Sequence, residues 1–205
     1  MTYIISRRML IHWLSLYILL FVFMNTTYAL DDLKNLTHVL PIDKSLKEGE
    51  RTMLSVRVPG SFQALQPIEQ LNKSGMAEFI PSSDKDPFAW TQILTIYNFP
   101  FGKKVLAKDF LNEIKNQFFA ADPNIKIMNE SYEETSYYNV GKLTMSYTPG
   151  KERDEIVIME YYCGTQECSA IQYAILLKPN EDKNLALNKM HDFLKTNKVI
   201  NIATF

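Results

Sequence analysis

Two cysteines, Cys163 and Cys168, stand four residues apart in "EYYCGTQECSAIQY". A pair so close could bind a metal, exchange disulfides, supply a nucleophile or form a structural bridge. A zinc site wants about four Cys or His ligands. Beyond residue 29 the chain has two cysteines and two histidines, His38 and His191, far apart in sequence. A thioredoxin-type site wants two intervening residues, not four. The flanking runs "IVIMEYY" and "SAIQYAILL" read as strands around a polar turn, "GTQE". That places Cys163 and Cys168 opposite each other near a hairpin end and favours a structural disulfide over metal or redox chemistry. By chain entropy, so short a loop contributes only about 2 kcal/mol.

The other reactive side chains form no catalytic pattern. The sequence has no Gly-rich phosphate loop and no Gly-x-Ser-x-Gly elbow. His191 falls one step from the apolar stripe of the last helical segment, which predicts a half-buried structural histidine. Carboxylates gather in "NESYEET" (Glu130, Glu133, Glu134) and "KERDE" (Glu152, Asp154, Glu155). Neither has the alternating Asp/Asn with central Gly of a calcium loop. Both read as solvated loop and strand-edge charge. No catalytic, metal or cofactor-binding residue is assigned.

Tyrosine is the more informative residue. Tyr132, Tyr137, Tyr138, Tyr147, Tyr161, Tyr162 and Tyr173 fall in the C-terminal strand region. Tyrosine packs well in sheets. It also suits interfaces, where a rigid ring with a polar tip costs little entropy to order. Tyr137, Tyr138 and Tyr161 are taken as the candidate binding face.

The oxidised reading of the cysteines depends on compartment. Arg7 and Arg8 precede an apolar run of 16 residues, Met9 to Met24, and "NTTYA" places Thr27 and Ala29 at small-residue cleavage positions. These are the three parts of a secretory signal peptide. The run is short of the roughly 20 residues that span a bilayer. Cleavage after Ala29 is expected, giving a periplasmic or extracellular protein that meets the membrane only in transit. Export favours cysteine oxidation. Losing Arg7 and Arg8 takes the 22 basic residues to 20 against 23 acidic ones, a formal charge of −3. Nucleic acid is a poor partner for that balance.

The elements that must position these residues follow from periodicity. Residues 30–51 read as a polar, irregular N-terminal segment, and 52–205 as a single domain. "MLSVRVP" alternates Leu54, Val56 and Val58 against Ser55 and Arg57, a half-buried strand. "GMAEFIP" is a second strand and "FAWTQILTIYNF" a central one. Residues 104–122 form a helix with Leu106, Phe110, Leu111, Ile114 and Phe118 on one stripe, stopped by Asp122-Pro123. Residues 125–149 read as two strands with a turn or bulge at Gly141. The cysteine hairpin follows. A last helix over 180–197 has Asn180 as N-cap and Leu187, Met190 and Leu194 as its stripe. The class is α+β, an antiparallel sheet covered by helices.

The order of "SVRVPGSF", "FAWTQILTIYNF", "AKDFLNEIKNQFF", "NVGKLTMSYT", "EIVIMEYYC", "SAIQYAILL" and "KMHDFLKT" resembles the PsbP-like α/β/α sandwich over roughly residues 52–200. That fold is shared by an extrinsic photosystem II subunit, a Ran-binding nuclear import factor and bacterial exported or adaptor proteins. The resemblance implies a binding module without a shared catalytic site. The N-terminal segment and the cysteines are not part of it. The expectation is an exported, non-enzymatic bacterial binding or adaptor protein with a protein partner, in one version a host-interaction (virulence) factor. The competing reading is an exported hydrolase using dispersed carboxylates or His191.

Overall fold

A computed structural model describes residues 37–47, 50–65, 75–86, 89–148 and 153–203. The expected signal segment 1–29, the expected cleavage after Ala29 and residues 30–36 lie outside the described residues. No helix among the described residues is long and apolar enough to cross a membrane.

Ten strands and two helices follow one another. They are β1 (Thr37–Lys47), β2 (Glu50–Arg57), β3 (Phe62–Ala64), β4 (Met76–Pro81), β5 (Gln92–Pro100), α1 (Ala107–Ala121), β6 (Lys126–Glu134), β7 (Asn139–Tyr147), β8 (Glu155–Cys163), β9 (Glu167–Leu176), α2 (Lys183–Leu194) and β10 (Lys198–Ala203). The strands form a seven-stranded sheet, β3-β4-β5-β9-β8-β7-β6, and a three-stranded sheet, β1-β2-β10. Every pairing is antiparallel. The fold is α+β.

Strand alternation divides the core between the two faces of the large sheet. On one face Met76, Ile80, Tyr97, Phe99, Leu143, Met145, Val157 and Met159 pack under Ala107, Leu111 and Ile114 of α1. On the other, Leu94, Ile96, Ile156, Ile158, Ile171 and Ile175 pack under Leu40, Ile42, Leu54 and Val56 of the small sheet and Ala186, Met190 and Leu194 of α2. Strand β8 is central and buried at all nine residues, so its run of apolar types shows no alternation in hydropathy.

Four readings need correction. The polar stretch before residue 52 contains β1, whose Leu40 and Ile42 are buried. Charged and polar neighbours masked that short apolar pair. Pro41 fits because β1 is an edge strand, and its carbonyl accepts from Ser169 Oγ at 2.6 Å. Strand β10 follows the last helix and pairs with β2. The cap of α2 is Asp182, whose carboxylate accepts from the amides of Asn184 (2.8 Å) and Leu185 (3.4 Å). Asn180 sits two residues earlier at φ 63°.

Gly141 is neither turn nor bulge. It lies inside β7, opposite Tyr132 on β6 and Tyr161 on β8. The turn is at 135–138, closed by the Thr135 amide donating to the Tyr138 carbonyl at 2.9 Å. A Cβ on Gly141 would lie 2.5 Å from Leu111 Cδ1 and 3.2 Å from the Ala107 carbonyl. The glycine is there so that α1 can lie close on the sheet.

Candidate functional site

Cys163 and Cys168 are joined in a disulfide, with Cα atoms 4.1 Å apart. They are directly opposed in the β8–β9 register and fully buried. Cys168 also faces Phe99 across β5. Phe99, Phe101, Phe110 and Tyr161 continue the cluster, with Phe110 and Tyr161 centroids 4.9 Å apart. Asn139 ties this cluster to the helix. Its Oδ1 accepts from the Ala107 amide, the first of α1, and its Nδ2 donates to the Cys163 carbonyl at 2.9 Å. The bridge is therefore a buried structural element and not an accessible redox pair.

The three tyrosines of the candidate face are not brought together. Tyr161 is 4% exposed and its ring packs under α1, so it cannot contribute to a surface. Period-2 counting places it on one face of β8 but does not say that α1 covers that face. Tyr137 is 54% exposed at the β6–β7 turn. Tyr138 is half-buried beside it and meets the Tyr162 ring at 6.3 Å between centroids.

A polar chain runs inward from Tyr138. Tyr162 Oη donates to Glu160 Oε2 at 2.8 Å, and Glu160 pairs with Lys142 at 2.9 Å. Burial first, then the Glu160 carboxylate, raises the Tyr162 phenol well above its usual range. Burial, then Glu133, raises Tyr138. Both phenols stay protonated at neutral pH, so they act as hydrogen-bond donors or spacers and supply no base. The chain fixes the root of the turn and leaves Tyr137 as its presented side chain.

Beside the turn lies a feature that residue types alone did not single out. All nine residues of β6 are exposed, and β6 is the outer strand of the large sheet. Its register places Ile127, Glu130 and Tyr132 on the α1 side, opposite Met145, Leu143 and Gly141. Lys126, Asn129, Ser131 and Glu133 point to the other side, with an irregularity between Ile127 and Asn129. Lys115 of α1 pairs with Glu130 at 2.7 Å. Phe119 lies one turn further along the same side of the helix. Among the described residues, five of the seven exposed large apolar side chains belong to this border: Phe119, Ile127, Met128, Tyr132 and Tyr137. The sequence hint was a strand pattern polar on both faces, "NESYEE".

The remaining candidates are scattered. His191 is exposed on α2, not half-buried. His38 lies on β1 opposite Val56. Asp154 is held by Lys183 and by Thr148 Oγ1, and these hydrogen bonds lower its pKa. Glu155 is buried, against the expectation of a solvated charge, and its carboxylate hydrogen-bonds Tyr147. Glu152 lies outside the described residues. No group of three or more His, Cys, Asp or Glu among the described residues could hold a metal ion.

No family model and no curated protein matches the chain. Several solved structures resemble it. Cyanobacterial PsbP from Synechocystis is 9% identical, with 86% of this chain and 99% of that one covered and a TM-score of 0.47. Mog1p, a Ran-binding protein of Saccharomyces cerevisiae, is 12% identical over 71% and 89%, with a TM-score of 0.46. LpqN of Mycobacterium tuberculosis, involved in cell envelope biogenesis, is 14% identical over 85% and 99%, with a TM-score of 0.45. The chain spans 45% of a Bacteroides thetaiotaomicron structure that it also matches. All of these likenesses lie at low sequence identity.

Proposed function

We propose that the chain is an exported protein-binding module, periplasmic or extracellular, whose recognition surface is the β6 border and the Tyr137 turn. One observation carries this reading: the exposed large apolar side chains concentrate on that border instead of scattering. Single exposed apolar residues need no explanation, whereas their gathering along one sheet border favours a contact surface. The signal-like N-terminus and the buried disulfide support export. A host-interaction role is one version of this function.

A photo-crosslinking residue placed at position 137 of the exported protein tests the reading. The expected result is a discrete adduct with a partner protein, lost when Tyr132 and Phe119 are replaced by serine. The same probe at position 191 should give none. A His191→Gln protein that folds normally but loses function, with no adduct at 137, would overturn the binding module in favour of the hydrolase.

A further inference from the structure

Sheet edges are ordinarily protected from pairing by shortness, proline, strong irregularity, charge or a covering element. In the large sheet β3 is protected by length, being three residues long. In the small sheet β1 carries Pro41 and two register irregularities. Strand β6 is nine residues long, has no proline, and every one of its residues is exposed. Its one irregularity lies near its start, leaving Asn129–Glu134 in regular register with β7. The protection left to it is charge, and over the regular stretch Asn129–Glu134 that charge is acidic, Lys126 lying before the irregularity. Glu130 is neutralised by Lys115. Glu133 and Glu134, by contrast, form no ion pair among the described residues. They do bear on their neighbours: Glu134 helps raise the Tyr132 phenol, after burial, and Glu133 does the same for Tyr138.

An acidic edge rejects its own copy. Two copies paired antiparallel over Asn129–Glu134 would bring Glu133 and Glu134 of one strand within the ~8–10 Å over which charges act at physiological salt of Glu133 and Glu130 of the other. The same edge suits a basic strand. From these features we propose that β6 is a strand-addition site for an extended basic segment of a partner protein, which becomes an eighth strand of the large sheet. The proposal rests on the binding-module reading and names the partner's chemistry. Main-chain hydrogen bonds would supply the pairing and alternate side chains the selectivity. One row of the incoming strand meets Ile127, Tyr132 and Glu134, with Glu130 held by Lys115, and so should be apolar except at its Glu134 end. The other meets Ser131 and Glu133 and so should carry lysine or arginine.

The test uses a synthetic peptide, (Lys-Val)4, titrated into the mature 15N-labelled protein. Shifts and new amide protection should be confined to residues 126–134 and the neighbouring turn. Binding should weaken by about tenfold or more in Glu133→Lys/Glu134→Lys, both exposed positions, while (Glu-Val)4 gains affinity for that variant. Two N-methylated forms, each blocking one alternate set of peptide amides, complete it. One should abolish binding and the other retain it, since strand pairing uses a single peptide edge. Equal binding by both forms would reduce the effect to charge adhesion and overturn the proposal. So would a dimer, seen by sedimentation, with protected β6 amides. If (Lys-Val)4 leaves β6 unperturbed while the position-137 adduct still forms, strand addition fails and the binding module stands. If neither occurs, both fail.

Discussion

Tyr137 and Tyr161 have the same chemistry and opposite surroundings. Tyr161 is enclosed by Phe110, Met159 and α1, and burial raises its phenol pKa. Tyr161→Ala should lower unfolding free energy by about 3–5 kcal/mol, the usual cost of emptying a large core aromatic site. Tyr137→Ala should change stability by less than about 0.5 kcal/mol, yet weaken partner binding by about 2 kcal/mol or more if it is an anchor. Denaturant unfolding measures the first, and the affinity of the mature Tyr137→Ala protein for the partner identified from the adduct measures the second. Glu78 offers a different test. Burial alone raises its carboxyl pKa. A raised folded-state pKa means that the folded protein is relatively favoured below the unfolded value, and is penalised once pH has risen through the folded value. Glu78→Gln should therefore raise the thermal midpoint at pH 7.5, and that gain should disappear near pH 4. An equal gain at both pH values would refute a titration origin.

At the scale of elements, α1 depends on Gly141 for its approach to the sheet and on Asn139 for the anchoring of its first amide. Gly141→Val should force α1 outward from Leu111 and Ala107 and cost about 1–3 kcal/mol, as overpacking does. Chemical-shift changes should centre on α1 and β7 and spare α2. The disulfide acts locally as well. Its closed loop is short, and the β8–β9 register persists over nine residue pairs. Cys163→Ala/Cys168→Ala should still fold, with a loss of about 2 kcal/mol. Thiol labelling of the denatured, unreduced protein should find no free thiol; two reactive thiols would contradict the bridge. Much of this scale was legible beforehand. Leu54 and Val56 on β2, with Val58 just past its end, and Leu111 and Ile114 on α1, show plain periods because each element buries one face. Strand β1 was not legible, because Leu40 and Ile42, either side of Pro41 and followed by Asp43, Lys44 and Ser45, make too short a period. Tyr161 was misplaced because alternation assigns a side without saying what covers it.

For the whole molecule, β1 and β10, from opposite ends of the described chain, both flank β2. The small sheet therefore closes only when the two ends of the domain meet over one face of the large sheet. Export is the remaining whole-chain expectation. Mass spectrometry of the protein recovered outside the cytoplasm should show loss of residues 1–29; an intact N-terminus in a membrane fraction would count against cleavage. By itself the sequence determined the α+β class, both helices and the cysteine hairpin. These are local properties: period, turn chemistry and composition act over a few residues. Tertiary structure alone decided which face of each strand is covered, that Glu155 and Tyr161 are buried, that Gly141 admits a helix, and that β6 is the outer strand. Those outcomes depend on which distant segments pair or pack, and neither strand order nor coverage is encoded in any single window of the chain.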